Sequence, residues 1–129
     1  MIAVDTNILV RLITQDDEAQ HRASVDLFQN PEIFVPDTVI LETEGVLRFA
    51  YDFNAHEICT ALRKVFGLPN VYLTNENLIA QVLQWYENGL DFADALYLAT
   101  SQHCSTLYTF DKEFIKRAKP LTDRRVQKP

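Results

Sequence analysis

The sequence has few of the residues that build thiolate metal sites or disulfide scaffolds. Cys59 and Cys104 lie 45 positions apart, and none of the three histidines falls in the spacing of a zinc site. We therefore expect no metal site made of thiols or imidazoles, and two buried cysteines in a reducing compartment. A chain of 129 residues, 47% of them hydrophobic, can bury a stable core without disulfide bonds or structural metal ions. Any bound metal is therefore expected to be functional.

Long hydrophobic runs are also missing. The longest unbroken run, Ala95–Ala99, has five residues, whereas a membrane-spanning helix needs roughly 20. The opening residues, MIAVD, place an acid where a secretory signal peptide has basic residues followed by a long apolar stretch. The sequence therefore predicts a cytoplasmic protein that does not associate with membranes.

Basic residues are scarce over most of the chain. Residues 1–111 hold five Lys or Arg against sixteen Asp or Glu, whereas residues 112–129 hold seven against two. The net charge of −6 argues against a simple electrostatic clamp on nucleic acid. The basic end of the chain can nevertheless hold a phosphate backbone, so the positions of the individual charges matter more than their sum.

Hydrophobic periodicity predicts strands and helices in near alternation. Short apolar runs predict strands at 2–4, 33–35, 71–73 and 106–110, and apolar stripes at helical spacing predict helices around them. This order is typical of a parallel sheet with helices on both faces. We predict the α/β class, specifically a three-layer α/β/α sandwich with a short, mostly parallel central sheet. Residues 1–129 are expected to form a single domain that ends in a basic C-terminal tail at about 119–129.

Two acids directly follow predicted strands. Asp5 comes after the first strand and Asp111 after the last. In a parallel sheet, ligands bind beyond the carboxyl ends of the strands, which favours a functional role for both residues. Each can equally well cap the helix that follows it, and both interpretations remain open.

A third acid falls on a predicted core-facing stripe. Glu42 lies in line with Val39, Val46 and Phe49 at helical spacing. A carboxylate facing a core needs a paired cation, a metal or a shifted pKa. Glu44, two positions further, is expected to face away and to be solvated.

Asp91 and Asp94 stand three residues apart at the start of a predicted helix, on one face of it. They can be simply the N-cap and a first-turn acid. Carboxylates within about 4 Å of each other repel by roughly 4 kcal/mol per pair, so folding alone would not select a crowd of them. A hard cation removes this repulsion, and an all-oxygen site suits Mg²⁺ or Mn²⁺.

The chemistry that fits such a site is metal-assisted hydrolysis of a phosphodiester bond. Thr6, Asn7 and Thr109 neighbour the acids and can position water or phosphate by hydrogen bonds. Lys112, Lys116 and Arg117 belong to the basic end of the chain and can hold the rest of the backbone, with an affinity that falls as salt rises.

Four segments of the chain are DTNILVRL, VPDTVILETEGVLR, GLDFADALYLATSQ and LYTFDKEFIKRA. In order and spacing they resemble the motifs of PIN-domain proteins, in particular those of the VapC-type toxins of bacterial and archaeal toxin–antitoxin pairs. The resemblance covers residues 1 to about 118. It implies a Mg²⁺- or Mn²⁺-dependent endoribonuclease whose acidic quartet is Asp5, Glu42, Asp94 and Asp111, with Asp91 as a candidate fifth member. It also implies a homodimer, and inhibition by a cognate antitoxin whose tail enters the active-site groove.

One position departs from the pattern of these relatives. They often carry a large aromatic residue, commonly Trp, three residues after the glutamate, where this chain has Gly45. Glycine inside a helix costs about 1 kcal/mol relative to alanine and removes a packing group. The shape of the local groove, and its contacts with substrate or antitoxin, are therefore expected to differ.

Two other classes of protein remain as alternatives. One is a PIN-like module that binds a partner or nucleic acid without cutting it, although all four expected acids are present here. The other is a phospho-accepting receiver-type domain, which resembles this chain in length and in its acidic pocket. Against the receiver, Pro36-Asp37 follows the second strand, and no lysine follows the fourth strand before Asp111.

Overall fold

The computed structural model describes residues 1–129 and divides the chain into two compact units, Met1–Glu76 and Asn77–Pro129. The first unit contains β1 (Ile2–Ala3), α1 (Thr6–Ile13), α2 (Glu18–Leu27), β2 (Ile33–Phe34), α3 (Asp37–Ala50), α4 (Ala55–Phe66) and β3 (Val71–Tyr72). The second contains nearly all of α5 (Glu76–Glu87), followed by α6 (Phe92–Thr100), β4 (Thr106–Tyr108), α7 (Lys112–Ala118) and β5 (Arg125–Gln127).

The first unit is built on a three-stranded parallel sheet in the order β1-β2-β3. Ile33 of the central strand pairs with Ile2 on one side and with Val71 on the other. Helices connect these strands, as parallel pairing requires. Ile33 and the following Val35 are completely buried. The predicted α/β class with short parallel strands is confirmed.

Helix α4 shows how local sequence sets the elements of the first unit. The side chain of Asn54 accepts a hydrogen bond from the backbone N–H of Glu57 at 2.8 Å, and the Glu57 carboxylate accepts one from the backbone N–H of Asn54 at 3.0 Å. This capping box fixes the start of the helix. Ile58 and Leu62, four residues apart, are then completely buried.

The predicted orientation of α3 is wrong. Glu42 is exposed and Phe49 is 80% exposed, whereas Ile40 and Leu47 are completely buried. This helix carries two apolar stripes one position apart, and helical spacing alone fits both of them. The structure buries the stripe that the sequence analysis did not choose.

Because α3 buries the side of the helix that carries Ile40 and Leu47, the prediction for Glu44 is also wrong. Its side chain is buried instead of solvated, and its Oε2 lies 2.7 Å from Nε of Arg48, one turn further along α3. The guanidinium supplies the cation that a buried carboxylate needs. Glu44 thus forms an ion pair within α3 of the first unit.

In the second unit, the apolar faces of α5 and α6 are buried as their spacing predicts. These faces consist of Ile79, Val82, Leu83 and Tyr86 on α5, and of Ala95, Leu98 and Ala99 on α6. Strand β4 pairs in parallel with β5, which lies inside the segment predicted as a basic tail. Strand β5 was not predicted, because Arg125-Val126-Gln127 has only one apolar residue and therefore shows no hydrophobic alternation.

Arg124 attaches this last segment to α6. Its Nη1 donates a hydrogen bond to the backbone oxygen of Leu98, and its Nη2 donates one to Oγ of Ser101 at 3.2 Å. Carbonyl groups in the last turn of a helix have no partner within the helix. A guanidinium from the C-terminal segment therefore caps the end of α6.

The two cysteines differ in their exposure. Cys59 is buried as predicted, but Cys104 is exposed, which corrects the expectation of two buried thiols. Cys104 lies in the turns between α6 and β4, and such a connection runs over the surface. None of the helices is long and apolar enough to span a bilayer.

Candidate active site

In the first unit, Asp5 lies at the carboxyl end of β1 and caps α1. Its Oδ1 accepts a hydrogen bond from the backbone N–H of Ile8 at 3.2 Å. The capping role that the sequence left open is therefore observed. The residue is exposed and only Oδ1 is engaged, so the second carboxylate oxygen can still bind a ligand. Asn7 is exposed nearby in the first turn of the helix.

Glu42 is connected to this helix start by Thr6. The buried Thr6 hydroxyl donates a short hydrogen bond to Oε1 of Glu42, which joins the first turn of α1 to α3. From its place beside Asp5 in the sequence, Thr6 is predicted to position water or phosphate. In the structure its hydroxyl donates to the Glu42 carboxylate, and the Glu42 side chain is exposed to solvent.

In the second unit, three acids selected from the sequence lie around one cavity of about 300 Å³. Its lining consists of Leu90, Asp91, Asp94, Asp111, Glu113, Phe114 and Arg117. Two helix N-termini, those of α6 and α7, supply the acids. Negative charge is favoured at such ends because the backbone N–H groups there point outward.

Asp91 and Asp111 are held in this cavity by the caps that they form. Asp91 Oδ2 accepts from the backbone N–H of Asp94 at 3.3 Å. Asp111 Oδ1 accepts from the N–H groups of Glu113 and Phe114 at 3.0 and 3.2 Å. The Thr109 hydroxyl accepts from the N–H of Asp111 at 3.0 Å and so fixes the turn before α7. In both capping carboxylates one oxygen has no protein partner.

Asp94 is the most perturbed acid of the cavity. Burial first, and then the negative charges of Asp91 and Asp111, raise its pKa to about 6. Arg117 lines the same cavity, but its Nε lies 3.5 Å from Oε2 of Glu113. Negative charge thus accumulates around Asp94, and a cation bound there would relieve the repulsion.

The donor set fits a hydrated Mg²⁺ or Mn²⁺. Every candidate ligand is a carboxylate oxygen, which is the donor that these ions prefer, and two caps leave one oxygen free. No three His, Cys, Asp or Glu side chains of the chain are grouped closely enough to hold a metal ion directly. Mg²⁺ usually keeps several waters, and a cavity of about 300 Å³ has room for them.

The structure therefore groups the predicted acids in two sets. Asp5 and Glu42 belong to the first unit, and Asp91, Asp94 and Asp111 belong to the second. Lys112 and Lys116 are exposed on α7, and Arg117 lines the acidic cavity. Glu113 also lines it and was missed, although its position in the first turn after Asp111 was a usable signal.

Comparison with known proteins adds three findings. A family model described as the PIN domain matches residues 2–120. Among solved structures, the chain is similar to the crystal structure of VapC20 from Mycobacterium tuberculosis, a toxin that cleaves the sarcin–ricin loop. The two are 22% identical, the match covers 88% of this chain and 92% of that one, and the TM-score is 0.45. A search of curated protein sequences finds no match.

Proposed function

The chain belongs to the PIN-domain family, as its sequence motifs predict, and on this basis we propose that it is a divalent-metal-dependent endoribonuclease that hydrolyses RNA phosphodiester bonds. The observation that carries the proposal is the acidic cavity of the second unit, whose lining holds four acids, Asp91, Asp94, Asp111 and Glu113, against one cation, Arg117. We further propose that it is the toxin of a toxin–antitoxin pair, a cytoplasmic homodimer inhibited by a cognate antitoxin. Residues 1–129 would then act as one PIN-like domain.

We assign metal binding to Asp5, Glu42, Asp94 and Asp111, with Asp91 as a fifth. Since no three of these side chains lie close enough to hold an ion directly, they would bind it partly through its coordinated waters. A bound Mg²⁺ or Mn²⁺ supplies positive charge to the scissile phosphate and lowers the pKa of a water molecule. The protein contributes the fixed positions of the acids. Asp5, Asp91 and Asp111 are held by backbone N–H groups of the helices that they cap.

Neighbouring polar groups complete the proposed site. Thr6 orients Glu42, and Thr109 fixes the turn that presents Asp111. Asn7 is exposed and is assigned to water or phosphate. These groups act on the ligands or the substrate through single hydrogen bonds, so each is expected to affect the rate less than a ligand does.

We assign binding of the RNA phosphate backbone to the cations of α7. Lys112 and Lys116 are exposed, and Arg117 lines the acidic cavity. Nη1 of Arg117 also donates to the backbone oxygen of Gly89 at 3.3 Å. All three cations lie on the helix that begins directly after Asp111. Binding through them is expected to weaken steeply as the salt concentration rises.

The experiment that tests the proposal is cleavage of a structured RNA with Mn²⁺ and with EDTA, using wild type, Asp5→Asn and Asp94→Asn. The matched control is Asp17→Asn. Asp17 caps α2 by accepting from the N–H of Gln20 at 3.0 Å, and it lies outside the assigned ligands. Because asparagine caps helices as well as aspartate does, Asp5→Asn and Asp17→Asn should both stay folded.

We expect wild type and Asp17→Asn to cleave RNA with Mn²⁺ only, and Asp5→Asn and Asp94→Asn to lose more than about 100-fold in rate. Full activity in Asp5→Asn or in EDTA would contradict the assignment. RNA binding by folded wild-type protein without any turnover in Mn²⁺ would instead identify a non-catalytic PIN-like module.

A further inference from the structure

The acids of the cavity lie at the starts of two different helices. Asp91 is the N-cap of α6, and Asp111 is the N-cap of α7. Each carboxylate accepts hydrogen bonds from its own helix, at 3.3 Å for Asp91 and at 3.0 and 3.2 Å for Asp111. These caps fix each acid relative to the helix that it precedes. They do not fix the start of α6 relative to the start of α7.

Arg117 connects the two sides of the cavity. It lies in the last turn of α7, and its Nη1 donates to the backbone oxygen of Gly89 at 3.3 Å, 28 positions away in the chain. Gly89 belongs to the turn between α5 and α6, just before Leu90 and Asp91. Nε of Arg117 lies 3.5 Å from Oε2 of Glu113, one turn earlier on α7. We call these two contacts of one guanidinium the Arg117 bridge.

The Gly89 carbonyl lies in a turn that is itself fixed by hydrogen bonds. The backbone N–H of Gly89 donates to the oxygen of Tyr86, and that of Leu90 donates to the oxygen of Trp85, both at 3.1 Å. Gly89 has φ of +104°, a conformation that favours glycine. Leu90 is buried and lines the cavity. A donor on the Gly89 carbonyl therefore holds an ordered part of the α6 side.

The distance between the two sides matters for a hydrated metal ion. No three acids lie close enough to hold an ion directly, so an ion would bind partly through its waters. Mg²⁺ requires nearly ideal octahedral geometry, and its waters therefore take fixed positions. A change in the distance between α6 and α7 would move some carboxylates away from these waters. Groups that orient metal ligands typically change metal affinity by about 10- to 100-fold.

We propose that Arg117 is a positioning residue: by binding Gly89 and Glu113, it holds the starts of α6 and α7 at the distance that a hydrated Mg²⁺ or Mn²⁺ requires. This inference rests on the proposed metal-dependent function, because it concerns the same cavity. It is distinct from the contact of Arg117 with RNA phosphate, since Nη2 takes part in neither contact of the bridge.

The charge of Arg117 and the Arg117 bridge have opposite effects on a bound cation. A guanidinium repels a metal ion in the same cavity, so removing only its charge should tighten metal binding. Removing the bridge should weaken metal binding, because the carboxylates then lose their fixed distance. The direction of the change in metal affinity therefore separates the two effects.

The test measures Mn²⁺ binding without RNA, by electron paramagnetic resonance of the free ion. Arg117→Gln removes the charge and the bridge, whereas Arg117→Lys keeps the charge but replaces the planar fork by a single amino group. The matched control is Lys119→Gln, which removes the same charge from an exposed residue outside the cavity lining. The Arg117 side chain is 54% exposed, so both of its variants should stay folded.

We expect both Arg117 variants to raise the Kd for Mn²⁺ about 10-fold, and Lys119→Gln to keep the wild-type Kd. A Kd for Arg117→Gln that is equal to or lower than that of wild type would overturn the inference, because only the charge of Arg117 would then act on the ion. Mn²⁺-dependent cleavage of RNA by wild type, together with that result, would leave the ribonuclease proposal standing.

Amide exchange in EDTA tests the Arg117 bridge without metal. The backbone N–H of Ala95 donates to the oxygen of Asp91 at 2.9 Å and reports on the start of α6. If wild type binds no Mn²⁺, the metal-dependent function fails, and this exchange rate decides on the bridge alone. Faster exchange at Ala95 in both Arg117 variants than in Lys119→Gln would support the bridge, and equal rates would overturn it.

Discussion

The buried hydroxyl of Thr6 donates its hydrogen bond to the exposed carboxylate of Glu42, 36 positions away in the chain. One oxygen of the glutamate is thereby fixed by the first turn of α1, while the side chain remains open to solvent. A rigid donor behind a metal-binding carboxylate typically sets both its orientation and its affinity for the ion.

Replacing Thr6 by valine should therefore lower activity without changing the ligands. Valine has nearly the same shape but no hydroxyl, so Glu42 loses its donor. We expect cleavage to fall about 10- to 100-fold, with a higher Mn²⁺ concentration at half-maximal rate. Thr6→Ser restores the donor and should restore most of the rate. A Thr6→Val protein with the wild-type Mn²⁺ dependence would show that the hydrogen bond is only structural.

Gly45 gives a prediction about stability. It lies in the middle of α3, and a Cβ built at this position meets no atom within 4 Å. Gly45→Ala should therefore raise the free energy of unfolding by about 0.5–1 kcal/mol, since alanine restricts the unfolded chain and favours the helix. Urea denaturation measures the change. Gly89→Ala is the matched control and should destabilise, because Gly89 has φ of +104°.

The link between Arg124 and α6 gives a second prediction about stability. Arg124→Ala removes the guanidinium that donates to the Leu98 carbonyl, which then keeps only a 3.4 Å hydrogen bond from the Ser101 hydroxyl. We expect a loss of about 1–2 kcal/mol in the free energy of unfolding. Arg125→Ala removes a neighbouring exposed cation from β5 and should change stability by less than about 0.5 kcal/mol. Equal urea midpoints for the two variants would show that the cap does not stabilise the protein.

Sequence alone predicted those elements whose signals are local. Asn54 and Glu57 form a capping box within four residues, and the stripe containing Ile79 and Val82 fits a single buried face. The acids after β1 and β4 were found because a strand end followed by a helix start is visible in the residue order. The capping role and the functional role could not be separated, because one carboxylate can serve both with different oxygens.

Features that depend on distant packing were missed. On α3 both the Val39 and the Ile40 stripes have helical spacing, so only packing decides that Ile40 and Glu44 are buried. The spacing of four residues between Glu44 and Arg48 predicts an ion pair, but it does not show that the glutamate of that pair is buried while the arginine stays 40% exposed. Strand β5 exists through its pairing with β4, which a three-residue run with one apolar side chain cannot reveal.

The raised pKa of Asp94 predicts how stability depends on pH in the absence of metal. The pKa of Asp94 is about 6 in the folded protein against 3.8 for the free group, mainly through burial. The folded state therefore binds more protons between these values, and the free energy of unfolding should fall as pH rises from about 4 through 6. Asp94→Asn removes this penalty. In EDTA it should stabilise the protein by about 1 kcal/mol at pH 7, a figure reduced for solvent screening at this half-buried site, and by almost nothing at pH 4. Equal stabilisation at both pH values would exclude ionisation as the cause.

Metal binding should offset the loss of stability that ionised Asp94 causes at neutral pH. A ligand that binds only the folded state stabilises it by mass action, by about 2.7 kcal/mol when its concentration is 100 times its Kd. Mn²⁺ or Mg²⁺ should therefore raise the melting temperature of wild type and of Asp17→Asn, whose changed cap lies outside the proposed ligands. Asp94→Asn should respond much less, because the carboxylate whose charge the ion neutralises is gone. Calorimetry across a metal titration measures the shift in melting temperature. An unchanged melting temperature up to tens of millimolar metal would mean that these acids only stabilise the starts of α6 and α7 and bind no metal.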